Sequence, residues 1–405
     1  MTVDKLTQTD LDAIAESGRD PDAVLKQLRQ LRGPRPTAAM VRPCTVGDGI
    51  ERLDAADFER LERRWQEVAA SGRISSFIPA SGAATRLLST LSGQLPEALV
   101  SPFGDRVSDP GSTPKGLLPF HRYADHVRTA FDEHIVEAAL LGRSAAGEVA
   151  AHFTVAASHI ERFEAAVESA VSRAPDARFE IGFSVQHPST DTPCIDADGF
   201  PVKTDGRLLF RPGGHGALLK NLDECGGDVV LVKNIDNIVR DEQRAEVVAW
   251  RRRLVGRLVE ELAAAKAESD DRPVRVCGMV PNSGQPGGGP FWVRTSDGGE
   301  SAQIVEGAQM AEEDKHLLAG ATHFNPVDLA LALRDPRGAP YSLGDYTDPE
   351  AVIVTEKTVQ GEQSVVLEHP GLWNGGMARW RTVFVEVPAL VFNPVKTIDD
   401  LLARL

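Results

Sequence analysis

Val229-Val230-Leu231-Val232 is the run that most constrains the fold of this chain. Four consecutive apolar residues between Asp228 and Lys233 leave no polar side for solvent, so the strand they form must be covered on both faces. A helical pattern follows from Arg240 to Ala267, and further strand-like runs lie at Ile74–Ile78, Arg178–Val185, Val274–Val280, Phe291–Arg294 and Ala302–Glu306. Helical patterns over His121–Leu141 and Ile160–Ser172 sit between them. Apolar strands alternating with helices predict a layered α/β sheet.

Upstream, residues 1–72 read mainly as amphipathic helix. Phe58, Leu61, Trp65 and Val68 recur every three or four residues, and Asp54 stands where a cap is needed. Residues 91–113 are rich in Gly, Pro, Ser and Asp and read as a long loop, a length usually kept for function. From Ala351 the chain turns strand-rich, at Val352–Thr355, Ser364–Leu367 and Thr382–Val387.

A formal net charge of −15 over 405 residues argues against non-specific nucleic-acid binding and against an anionic membrane surface. Local cations can still hold phosphates in such a protein, because charges more than about 10 Å apart are largely screened. Cys44, Cys194, Cys225 and Cys277 lack zinc-site or redox spacing and read as buried, reduced thiols. No stretch has the pattern of a secretion signal or a membrane span, so the expected location is the cytoplasm.

Five segments carry candidate chemistry. Ala80-Ser81-Gly82-Ala83-Ala84-Thr85-Arg86 follows the Ile74–Ile78 strand and precedes a helical turn. Small residues there let backbone N–H groups approach a phosphate, with Thr85 and Arg86 as further donors. Tight packing explains small residues at such a turn as well. Pro114-Lys115-Gly116-Leu117-Leu118-Pro119 offers a second cation. Gly213-Gly214-His215-Gly216 can lay bare backbone against a flat base, with His215 to stack or donate, or can be a turn before a helix. Asp236, in Asn234-Ile235-Asp236-Asn237, falls at the carboxyl end of the buried strand, where α/β sheets bind ligands. Lys396, in Pro394-Val395-Lys396-Thr397, precedes Asp399-Asp400-Leu401-Leu402.

Together these segments resemble the nucleotidyltransferases that join a nucleoside triphosphate to a sugar 1-phosphate. Their Gly-Gly-x-Gly-Thr-Arg loop is matched by Ser81 and Gly82 at the paired glycines, Ala84 at the third, and Thr85 and Arg86; Lys115 matches the lysine of their Pro-Lys element. The Gly213–Gly216 segment and Pro394-Val395-Lys396-Thr397 are similar to the UDP-sugar pyrophosphorylase branch. End to end the chain also resembles a bacterial domain family grouped with these enzymes.

The resemblance spans roughly residues 73–402 and implies a GT-A-like, Rossmann-type sheet. Residues 1–72 are then a helical extension, 73–350 the nucleotidyltransferase domain, and 351–405 a β-rich segment completing the active site. It implies that Arg86, Lys115 and Lys396 act on phosphates, and that Ala80, Ser81, Gly82, Ala84, Thr85 and residues 213–216 hold the nucleotide. Asp236 is implied to hold Mg²⁺, and Glu306 and Asn325 to face the sugar. The implied partners are a nucleoside triphosphate, UTP by preference, and a sugar 1-phosphate.

Glu386 is a possible second metal ligand or a solvent-facing strand residue, and Lys357 a phosphate contact or a surface ion pair. Three alternatives stay open: a GT-A glycosyltransferase using Asp236 on a sugar nucleotide, a non-catalytic nucleotide or sugar-phosphate sensor, and nucleotidyl transfer to a non-sugar phosphorylated substrate.

Overall fold

The structure, a computed structural model, describes residues 6–82, 113–284, 287–295 and 297–405. The chain opens with helices α1 (Gln8–Glu16) and α2 (Pro21–Arg32), then strands β1 (Met40–Pro43), β2 (Thr45–Val46) and β3 (Gly49–Glu51) before helix α3 (Ala55–Ala70). The segment is mainly helical, and three short strands that the sequence reading did not anticipate are added to it. Strands of two to four residues have no local period; β1 and β3 form because distant partners pair with them, Pro43 lying opposite Phe291 and Ile50 opposite Phe384, and β2 pairs in turn with β3. Asp54 caps α3 as expected, accepting from the amides of Ala56 and Asp57.

Next come β4 (Ile74–Pro79), β5 (Pro119–Arg122), β6 (Val127–Thr129), α4 (Ala130–Gly142), β7 (Glu148–Thr154), α5 (Ile160–Val171) and β8 (Arg178–Ser184). The helix expected from His121 instead starts at Ala130, after the β5–β6 hairpin. Thr129 and Asp132 form a reciprocal capping box that fixes this start. The middle continues with β9 (Thr192–Asp196), β10 (Lys203–Thr204), β11 (Arg207–Leu208), β12 (Phe210–Arg211), α6 (Leu219–Glu224), β13 (Val229–Lys233) and α7 (Asp241–Glu268). The chain finishes with β14 (Val274–Pro281), β15 (Gly289–Arg294), β16 (Glu300–Val305), β17 (His323–Ala332), β18 (Ile353–Val359), β19 (Glu362–Glu368), β20 (Arg381–Glu386) and α8 (Ile398–Leu402).

Nine strands make the main sheet, in the order β2-β3-β20-β14-β17-β13-β4-β7-β8. β17 runs antiparallel to both its neighbours, β13 and β14, and the other pairings are parallel. β13 is buried along its whole length, and its side chains alternate between two cores. Val229 and Leu231 join α7 residues such as Leu254 and Leu258, whereas Val230 and Val232 join Leu222, Met279, Leu331 and Phe384. Both faces of the strand are therefore covered, as the apolar run requires.

A second sheet, β12-β9-β19-β18, packs one face on α1 and α2 through Ile14, Val24, Leu28, Ile195, Val354 and Leu367. Beneath the end of β13 lie four buried charges. Lys233 and Arg251 both meet Glu137, and Arg251 Nε also donates to Asp328 at 2.9 Å. Two cations thus balance two carboxylates, the condition under which charge is tolerated away from water. Among the described residues no helix is long and apolar enough to cross a membrane.

Candidate functional site

The turn after β13 is held from three sides. His134 Nε2 sits 3.1 Å from the Ile235 carbonyl, and burial keeps this imidazole neutral by pushing its pKa well down, so Nε2 carries the proton and donates. Asn237, 1% exposed, donates through Nδ2 to the Val391 carbonyl at 3.1 Å and accepts from the Asn393 amide at 2.7 Å. The Val395 amide donates to the Asp236 carbonyl at 3.1 Å. The aspartate turn and the Pro-Val-Lys-Thr segment, distant in sequence, are thereby stitched into one surface. Beyond it, Asp400 accepts from the amides of Lys396 and Thr397 at 2.9 and 2.8 Å, which fixes the backbone that carries the lysine.

This surface floors a cleft of about 910 Å³ between the two sheets, lined by Ser81, Gly82, Lys115, Gly214, His215, Asp236, Asn325 and Lys396 among others. Lys115 Nζ donates to Asp236 Oδ2 at 2.5 Å. Lys396 has no carboxylate partner among the described residues; its Nζ lies 5.4 Å from the Phe392 ring centre and 5.7 Å from that of Phe324. Ala80 is buried at the end of β4, its amide donating to Thr154, just before the lining residues Ser81 and Gly82. Ala84, Thr85 and Arg86, with most of the 91–113 loop, lie outside the described residues.

The glycine segment is shaped by packing as well as by the cleft. A Cβ on Gly214, whose φ is +75°, would meet the Glu368 carboxylate at 2.4 Å, and one on Gly216 would meet the Pro370 carbonyl at 2.2 Å. Gly213 is pressed in the same way by His369, and of residues 213–216 it is Gly214 and His215 that line the cleft. His215 stacks on Trp373 with ring centres 4.3 Å apart, and its Nδ1 accepts from the Leu372 amide at 3.1 Å. Burial pushes its pKa down to about 4, so the ring is neutral, with its proton on Nε2.

Glu306 stands behind the lining and accepts from Asn325 Nδ2 at 2.9 Å. Burial raises its pKa, offset in part by the hydrogen bond from Asn325. Glu386 is not among the residues lining the cleft: it is partly exposed, accepting from Arg52 Nε at 2.8 Å with His323 Nε2 3.1 Å away. Lys357 lines the cleft and pairs with Glu368 across the β18–β19 hairpin. The sequence reading missed Arg211, Gln186 and Glu368, which also line it. The available signal was strand alternation in a sheet with one face packed on helices, but the pairing of β12 with β9 and β19 is not local.

The lining cations Lys115, Arg211, Lys357 and Lys396 face two carboxylates, Asp236 and Glu368, inside a protein of net charge −15. Such a focus of positive charge suits a polyanion. Among the described residues no group of three His, Cys, Asp or Glu side chains is placed to hold a metal by itself. Asp236 supplies one carboxylate, which fits an ion that takes its other ligands from phosphates and water.

In fold the chain is similar to the UDP-N-acetylglucosamine pyrophosphorylase of Trypanosoma brucei, solved in complex with an inhibitor, with a TM-score of 0.60 at 16% identity over 100% of this chain and 80% of that one. It is likewise similar to a mutant UDP-glucose pyrophosphorylase of Leishmania major in complex with UDP-glucose, with a TM-score of 0.57 at 17% identity over 98% of this chain and 79% of that one. At these identities the likeness is one of fold. No curated protein matches the sequence. A family model matches residues 7–101, 105–269 and 260–404, and the chain belongs to that family, described as Domain of unknown function (DUF4301).

Proposed function

We propose that this protein is a nucleotidyltransferase that joins a nucleoside triphosphate, UTP by preference, to a sugar 1-phosphate and releases pyrophosphate. The observation that carries the reading is the convergence of Lys115, Asp236 and Lys396 on one cation-rich cleft. The fold shared with UDP-sugar pyrophosphorylases supports it.

A phosphate oxygen of the acceptor attacks the α-phosphorus in line; a new P–O bond forms as the α–β P–O bond breaks and pyrophosphate leaves. A phosphomonoester is already a competent nucleophile, so the residues need only position the reactants and stabilise charge. Lys115 is on hand for the leaving phosphates, and Lys396, free of any carboxylate among the described residues, meets charge on the α-phosphate. Neutral His215, stacked on Trp373, keeps one N–H to offer a ligand. Asp236 would be the residue to hold Mg²⁺, which would supply further neutralisation of charge on the leaving group.

The test is a pyrophosphate-release screen of the four common nucleoside triphosphates against a panel of phosphorylated sugars. Release with one pair is expected. Transfer from a preformed sugar nucleotide without pyrophosphate, or binding without turnover of any pair, refutes the proposal.

A further inference from the structure

The small sheet contributes charges to the cleft lining that the transfer reaction leaves unassigned. In the small sheet Arg211 of β12 lies opposite Thr192 of β9, Cys194 of β9 lies opposite Val366 of β19, and Lys357 of β18 lies opposite Ser364. Opposed residues share a face, as do residues two apart along a strand, so Arg211, Lys357 and Glu368 stand on one side. The other side is taken by α1 and α2. The row is thus turned to the cleft by the sheet's own amphipathic pattern, and all three residues line it.

Within the row Lys357 is paired with Glu368, and among the described residues Arg211 has no hydrogen bond or ion pair from its guanidinium. Five N–H donors without an acceptor, half-buried in a cleft wall, are a ready site for a carboxylate or a phosphate. β19 ends at Glu368, and the chain then passes through residues 369–372 to Trp373, which stacks on His215 and with Asn325 borders Glu306. The row meets the cleft beside Gly214, against which Glu368 packs, and the chain beyond it leads to the Trp373 that borders Glu306, whereas Lys115 and Asp236 make their own pair at the strand-end turn.

We infer that Arg211, with Lys357 beside it, binds a second acidic group on the acceptor, so that the preferred acceptor is a sugar 1-phosphate carrying another anionic substituent. This rests on the nucleotidyl-transfer reading for what the acceptor does, and on the cleft geometry alone for the binding site. Calorimetric titration with glucose 1-phosphate, glucuronic acid 1-phosphate and glucose 1,6-bisphosphate tests it, on the full chain and on Arg211→Gln and Arg211→Lys. At least tenfold tighter binding of one doubly acidic probe over glucose 1-phosphate is expected. That gain should vanish in Arg211→Gln and return in part in Arg211→Lys, and the preferred probe identifies carboxylate or phosphate.

Equal binding of the three probes, or a gain that survives Arg211→Gln, overturns the inference. So does a variant that weakens UTP binding while leaving all three sugar phosphates untouched, because Arg211 then serves the nucleotide. Pyrophosphate release measured in parallel separates the two claims. Arg211-dependent binding without any release retires the transfer reaction and keeps the subsite.

Discussion

Replacing Asn237 by alanine should loosen the segment that carries Lys396 without unfolding the protein. The side chain makes two hydrogen bonds at a position 1% exposed, one to the Val391 carbonyl and one from the Asn393 amide. Its loss strands both backbone groups, each at about 1–3 kcal/mol; because the cleft beside them can admit water, about 2–4 kcal/mol in all is reasonable. At about 1.4 kcal/mol per tenfold, protection of the Asn393 and Val395 amides against hydrogen exchange should fall roughly 30- to 1000-fold. Peptides covering 388–397 report this by mass spectrometry, and peptides from α7 serve as the control. Asn237→Asp should be no better, since it still accepts from Asn393 but sets a second acceptor against the Val391 carbonyl. Catalytic efficiency should fall in both, because Lys396 loses its fixed relation to Asp236. Unchanged exchange across 391–397 would show that the stitch is not what holds the lysine, and exchange rising equally in α7 would show global destabilisation instead.

Asp236→Ala should abolish metal-dependent turnover with the fold retained by circular dichroism, whereas activity that persists removes Asp236 from the mechanism. Lys396→Ala should lower kcat more than it raises KM if its contact strengthens in the transition state; equal weakening of substrate and product binding would make it a ground-state anchor. Lys233→Met should cost about 3–5 kcal/mol, because a carboxylate beneath β13 loses its balance, and Lys233→Met with Glu137→Met should recover most of it; urea midpoints decide, and a double variant less stable than the single one rejects charge balance as the cause. His215 has a folded pKa of about 4 against an ordinary 6.5, so the unfolded chain binds the proton first as pH falls. Its contribution is complete above pH 6.5 and is lost down to about pH 4, and the His215 ring resonances should not titrate between pH 5 and 8; a midpoint near 6.5 would place the ring in solvent.

The features legible in the sequence were those written locally. The apolar run at Val229–Val232 announced a doubly covered strand, and Asp54 announced the start of α3. The start of α4 was written too, in Thr129 and Asp132, but a helical period extended backwards over the β5–β6 hairpin hid it. β1 and β3 were illegible because partners hundreds of residues away define them, and β2 follows only once β3 is in place. The same division runs through the site. Lys115, Asp236 and Lys396 stood in motifs and are brought to one cleft, whereas Arg211 and Glu368 acquire a common direction only through the pairing of β12, β9 and β19.

β20, at Arg381–Glu386, sits inside the main sheet, between β3 from near the start of the chain and β14. During synthesis, everything up to residue 380 can leave the ribosome while β3 and β14 still wait for the strand that joins them. The nascent protein therefore carries two unsatisfied sheet margins until residues 381–386 emerge, a state open to mispairing with other chains. Lys396 emerges later still, so the cleft cannot acquire that lysine until the sheet has had its missing member.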